Sequence, residues 1–223
     1  MASATVKVPS HHVTLDGDLT VPPGARGTVL FAHGSGSSRL SPRNRAVAVG
    51  LRGAGFGTLL LDLLTQDEER EDTTTARHRF DIPLLARRLA DAVDWLGRQP
   101  GTAGLPVGLF GASTGAAAAL TAAAERPATV RAVVSRGGRP DLAGDALPLV
   151  AAPVLLVVGG GDGTVLELNR EAARRLGAHH RIHVVPGATH LFPEPGALEE
   201  VTDVAAAWFR DHLGEGAGDS RTR

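Results

Sequence analysis

Four short stretches carry the residue types that acyl-transfer chemistry uses, and each follows a short apolar run. Gly111-Ala112-Ser113-Thr114-Gly115 follows residues 106–110. Gly159-Gly160-Gly161-Asp162-Gly163 follows residues 154–158, and Pro186-Gly187-Ala188-Thr189-His190 follows residues 182–185. His33-Gly34-Ser35-Gly36-Ser37-Ser38 follows residues 28–32. A serine hydroxyl is a weak nucleophile at neutral pH. It needs a base to take its proton and a carboxylate to orient that base. Ser113, His190 and Asp162 supply these three groups. The first stretch matches G-x-S-x-G, where glycines on either side let a strand turn sharply into a helix and leave the serine exposed at the turn.

Other assignments compete for these positions. Asp162 also suits an N-cap for the helix after Gly163, and Asp141 is the second candidate acid. His179, His180 and His183 flank or lie in a strand and are poorer bases than His190. A strand does not bring them to one face as a helix would, so a metal site is disfavoured. The glycine-rich loop at 33–38 resembles a phosphate cradle, but it has no lysine and breaks the dinucleotide spacing at Arg39. Ser135-Arg136-Gly137-Gly138-Arg139-Pro140-Asp141 places two guanidinium groups after another apolar run. Arg136 and Arg139 are therefore candidates to bind a substrate carboxylate or phosphate. Residues 67–72 are acidic and read as a solvated loop that would rim the pocket only as a second choice.

The elements that position these residues follow from hydrophobic patterning. Residues 13–15 and 19–21 read as a hairpin around Asp16-Gly17-Asp18. Buried strands are expected at 28–32, 58–62, 106–110, 130–134, 154–158 and 182–185. Helices are expected at 43–51, 82–98, 114–125, 167–176 and 198–213, with 65–75 a loop. Apolar strands alternating with helices mean a mostly parallel, doubly wound α/β sheet covered on both faces, with the hairpin as an antiparallel edge. The prediction is a single domain over 1–213 and a disordered tail over 214–223. Ligands of such sheets bind beyond the carboxyl ends of the strands, where the four stretches fall.

Composition narrows the classes further. The 223 residues include no cysteine, so disulfides, thiolate metal sites and cysteine nucleophiles are excluded. A net charge of -1 gives no reason to expect nucleic acid or an anionic membrane as partner. The first residues have no apolar run of the secretory kind, and no stretch is long enough to span a bilayer, so a cytoplasmic protein is expected.

With Ser113, Asp162 and His190 in that chain order, the sequence resembles the α/β-hydrolase superfamily from the hairpin to the last helix. It is most similar to the small dienelactone hydrolase-like group. That resemblance implies an α/β-hydrolase fold without a large lid. It also implies an oxyanion hole made by the backbone N–H groups of Ser35 and Thr114, with His33 structural. Typical members of that group use a cysteine nucleophile, and here the position is Ser113.

The expected activity is hydrolysis of a small-molecule carboxylic ester, lactone or related acyl bond through an acyl-enzyme. No metal or organic cofactor is needed, and the partner is the small-molecule substrate. Two rivals stand beside it. One is an acyltransferase or thioesterase with the same triad. The other is a non-catalytic protein in which Arg136 and Arg139 clamp an anion.

Overall fold

The computed structural model describes residues 2–214. Eight strands form one sheet in the order β1-β2-β4-β3-β5-β6-β7-β8. They are β1 (Ala2–Ser10), β2 (Val13–Val21), β3 (Thr28–Ala32), β4 (Gly57–Leu61), β5 (Val107–Ala112), β6 (Val130–Arg136), β7 (Val154–Gly159) and β8 (His180–Val185). Strands β3 to β8 run parallel, and β2 pairs antiparallel with both β1 and β4. The central parallel strands are buried along their whole length, as a sheet covered on both faces requires.

Two helical layers provide the cover. α3 (Ile82–Leu96) and α4 (Thr114–Glu125) pack on one face, joined by α5 (Gly163–Arg175). α1 (Pro42–Gly53) and α6 (Ala197–Leu213) pack on the other. The α4 stripe is almost entirely alanine, from Ala116 to Ala123, which lets the helix lie close on β3 and β5. The strand order reverses between β3 and β5, so the loops leaving these two strands flank a crevice at the carboxyl edge of the sheet. No helix among the described residues is long and apolar enough to cross a membrane.

Three local expectations are corrected. The first hairpin turns at His11 and His12, not at Asp16-Gly17-Asp18, which lies inside β2. Gly17 faces Leu61 across the β2–β4 pair, and a Cβ there would sit 2.9 Å from Leu59 Cδ1, so this glycine serves close packing rather than a turn. The polar segment expected as a loop forms a helix, α2 (Gln66–Thr75). Thr65 and Glu68 build its capping box, and Glu68 also pairs with Arg88 of α3, which is 4% exposed. A helix held by ion pairs carries no hydrophobic period, which hides it from pattern reading. Finally, α5 begins four residues before the expected start, and residues Pro140–Leu149 form 3-10 turns kinked at Gly144. Past Gly214 the expected tail lies outside the described residues.

Candidate active site

The position of the candidate nucleophile is set by backbone geometry. Ser113 joins β5 to α4 with φ 51° and ψ -122°, a region that non-glycine residues avoid. Such a conformation costs on the order of 1–3 kcal/mol and persists only where its surroundings enforce it. They do so here by close approach. A Cβ on Gly115 would lie 2.4 Å from the Ala32 carbonyl oxygen, and one on Gly111 would lie 2.4 Å from Ala116 Cα. The Ser113 N–H donates to the Arg136 carbonyl at 3.3 Å, and the Arg139 N–H donates to the Ser113 carbonyl at 3.0 Å. The elbow is thus stitched to the loop after β6.

His190 and Asp162 meet from two different loops. His190 Nδ1 lies 2.7 Å from Asp162 Oδ2. A carboxylate accepts only, so Nδ1 carries the proton and Nε2 is left with its lone pair. The two loops are brought together by backbone contacts. The Gly161 N–H donates to the Ala188 carbonyl at 2.9 Å, and a Cβ on Gly159 would lie 2.3 Å from that same oxygen. Asp162 occupies the N-cap position of α5 but makes no side-chain cap hydrogen bond, so its carboxylate serves His190 and not the helix. Phe192 anchors the His190 loop in the core at 2% exposure and with φ 56°. The His190 ring and carbonyl lie over Gly137, next to the residue that holds the Ser113 amide. Ser113 and His190 therefore both lie against the loop after β6, and Asp162 is tied to it through His190.

On the oxyanion side, His33 is buried. Its Nε2 accepts the Leu63 N–H at 2.9 Å, and Nδ1 donates to the Gly34 carbonyl at 2.9 Å. Burial pushes its pKa below the usual histidine value, and the ring acts as a neutral tie between β3 and the end of β4. The Thr114 N–H is the first of α4 and has no preceding turn to bond to. The Ser35 N–H donates to Thr114 Oγ1 at 3.0 Å. In the free protein, then, only one of the two expected oxyanion amides lacks a side-chain acceptor, and the Thr114 hydroxyl sits where Ser35 would receive an oxyanion. Beside it a cavity is lined by Ser35, Thr114, Asp62, Glu69, Asp72 and Thr73. Glu69 and Asp72 of the acidic stretch reach this cavity from α2, but none of Ser113, Asp162 and His190 lines it.

A model of the dienelactone hydrolase family matches residues 17–211. The chain belongs to that family. The crystal structure of a dienelactone hydrolase from Anabaena variabilis is 57% identical, with a TM-score of 0.93, and covers 95% of this chain and 98% of its own. A protein of Mycobacterium tuberculosis named "Putative phosphoribosyl transferase" is 61% identical over 93% of this chain. The match takes in 46% of that protein, so the chain spans about half the length of the curated relatives it matches. Est1E from Butyrivibrio proteoclasticus, solved with ferulic acid bound, shares the fold at 17% identity, TM-score 0.79, over 93% of this chain and 99% of its own. Membership of the dienelactone hydrolase family supports hydrolase chemistry.

Several other candidates are accounted for by their partners. Arg139 makes two hydrogen bonds to Asp141, at 2.9 and 2.8 Å, which occupies both the candidate clamp residue and the second candidate acid. His183 bonds Glu200 at 2.7 Å, His180 bonds the Ala178 carbonyl at 3.0 Å, and His179 stacks on Trp208. Among the described residues no group of three or more acids and histidines converges as a metal site. Arg136 is different: it is 7% exposed and its side chain makes no hydrogen bond or salt bridge among the described residues. Sequence reasoning missed Asn169 of α5, fully buried, whose amide donates to the Gly138 carbonyl at 3.0 Å and braces the same loop. A polar residue on the apolar stripe of Val165, Ala172 and Ala173 was the available signal.

Proposed function

We propose that this protein is a serine hydrolase that cleaves a small-molecule carboxylic ester or lactone through an acyl-enzyme. The observation that carries the reading is the 2.7 Å bond between His190 Nδ1 and Asp162, made beside a serine in a strained strand-to-helix turn. His190 Nε2 takes the Ser113 proton as Oγ attacks the carbonyl carbon. The tetrahedral oxyanion is received by the Thr114 N–H, and by the Ser35 N–H once it leaves the Thr114 hydroxyl. The alcohol departs with the proton from His190. Water, deprotonated by the same nitrogen, then attacks the acyl-enzyme and releases the acid. Asp162 holds the tautomer and stabilises the imidazolium in both halves.

Ser113→Ala tests this against a panel of short esters, lactones and thioesters. Activity should fall to the background of the uncatalysed reaction, and a fluorophosphonate should label Ser113 of the wild type. Undiminished hydrolysis by Ser113→Ala refutes the assignment. Transfer to an added alcohol or thiol in preference to water would assign the same triad to an acyltransferase. The phosphoribosyl transferase name belongs to a protein about twice as long, and no feature of the site here favours that chemistry over acyl transfer.

A further inference from the structure

Thr114 is the first residue of α4. Threonine near a helix start commonly turns its hydroxyl onto the free amides of its own first turn. Thr114 Oγ1 makes no such bond. It accepts from the Ser35 N–H at 3.0 Å, across the crevice between the loop after β3 and the start of α4. Thr114 is 3% exposed, and with Ser35 it lines the cavity on the oxyanion side.

A hydroxyl carries one proton and two lone pairs. The Ser35 N–H takes up a lone pair. The proton has no acceptor among the described residues, because Oγ1 enters no other hydrogen bond there. A buried donor without an acceptor is costly, and such a group in a folded protein calls for a reason.

The surroundings name an acceptor. The loop that carries Ser35 lies against the candidate nucleophile: a Cβ on Gly34 would be 3.0 Å from Ser113 Cβ and 3.2 Å from the Ala112 carbonyl oxygen. The Thr114 N–H is the next amide after Ser113 and has no preceding helical turn to bond to. The Ser35 amide, the Thr114 amide and the Thr114 hydroxyl therefore border one space at the side of Ser113. An oxyanion formed there meets three donors rather than two. The Ser35 N–H turns from the hydroxyl to the oxyanion, and the hydroxyl gives it the proton that had no acceptor. That bond is complete only once negative charge has developed on the carbonyl oxygen, so it lowers the barrier rather than tightening substrate binding.

We propose that the Thr114 hydroxyl is a catalytic group, a side-chain donor to the oxyanion beside the Ser35 and Thr114 amides. This rests on the serine hydrolase reading, and the wild-type protein tests that reading separately. Thr114→Val keeps the shape of the side chain and removes the hydroxyl, while Thr114→Ser keeps the hydroxyl. With a short aryl ester, kcat of Thr114→Val should fall about a hundredfold with KM nearly unchanged. That is the lower end of the range for loss of one oxyanion donor, because the freed Ser35 N–H recovers part of it. Thr114→Ser should retain most of the wild-type rate. An arylboronic acid, which adds to a serine as a tetrahedral anion, should lose affinity in Thr114→Val by a similar factor, a change that a packing role would not produce.

Turnover by Thr114→Val equal to wild type would make Thr114 a packing residue, and faster turnover would make its hydroxyl a plug. Either overturns the proposal, as does a loss shared equally by Thr114→Ser. Where Thr114→Val lowers Tm markedly, Thr114→Ala carries the same comparison against Thr114→Ser. A wild-type protein that neither cleaves an ester nor takes a fluorophosphonate at Ser113 would reject the hydrolase reading itself, and the proposal with it.

Discussion

Asp162→Asn separates the two roles open to this residue. As an N-cap, asparagine is as good as aspartate, so a capping role predicts little change of any kind. As the partner of His190, the carboxylate does two things that an amide cannot. It accepts from Nδ1–H without offering a competing donor, and it supplies a negative charge beside the imidazolium of the transition state. With N and O 2.7 Å apart, the charge centres are about 4 Å apart. At an effective dielectric near 20 that is worth about 4 kcal/mol, or roughly a thousandfold in rate. The side-chain exposures, 39% for His190 and 16% for Asp162, suit that intermediate dielectric better than bulk water or a dry interior. The assay is kcat/KM for a short aryl ester, with thermal unfolding measured on the same preparations. The expected result is a loss of about a thousandfold with Tm nearly unchanged. Adding Asp162→Asn to Ser113→Ala should cost almost nothing more, because the residues act as a unit. A loss under about tenfold, or a loss that tracks falling stability, would refute the reasoning.

Three further outcomes are expected. Burial raises the Glu68 carboxyl, but hydrogen bonds from Arg88 and the Thr65 amide outweigh it and bring its pKa from 4.5 down to about 2. The stability this contributes is complete above about pH 4.5 and lost as pH falls toward 2. Discounted for partial exposure it is about 2 kcal/mol, so acid unfolding curves of wild type and Glu68→Gln should converge across that window. Gly115→Ala forces a methyl into the Ala32 and His33 carbonyls, and chemical denaturation should show a loss of about 1–3 kcal/mol together with reduced turnover as the elbow shifts. Because no large lid covers the crevice, short-chain nitrophenyl esters should be cleaved in preference to long-chain ones, and the reverse order would overturn this reading.

Much of this molecule was determined by local sequence alone. Runs such as residues 29–32 and 154–158 are uniformly apolar because both sheet faces are covered, and the period of α3 shows its buried stripe directly. The glycines at the ends of β5 and β7 mark where two backbones approach, and Gly187 supplies a positive-φ turn after β8, so the elbow at Ser113 and the Asp162 and His190 loops were legible before any geometry. What escaped was held by partners distant in the chain. α2 exists because Glu68 reaches Arg88, twenty residues on, a link no hydrophobic pattern records. The Asp16-Gly17 pair looks like a turn until Leu59 closes on Gly17. Arg136 and Arg139 are three residues apart and alike in sequence. Only the tertiary structure gives Arg139 a carboxylate and leaves Arg136 buried without one, because pairing of charges is decided by which side chains the fold brings within reach.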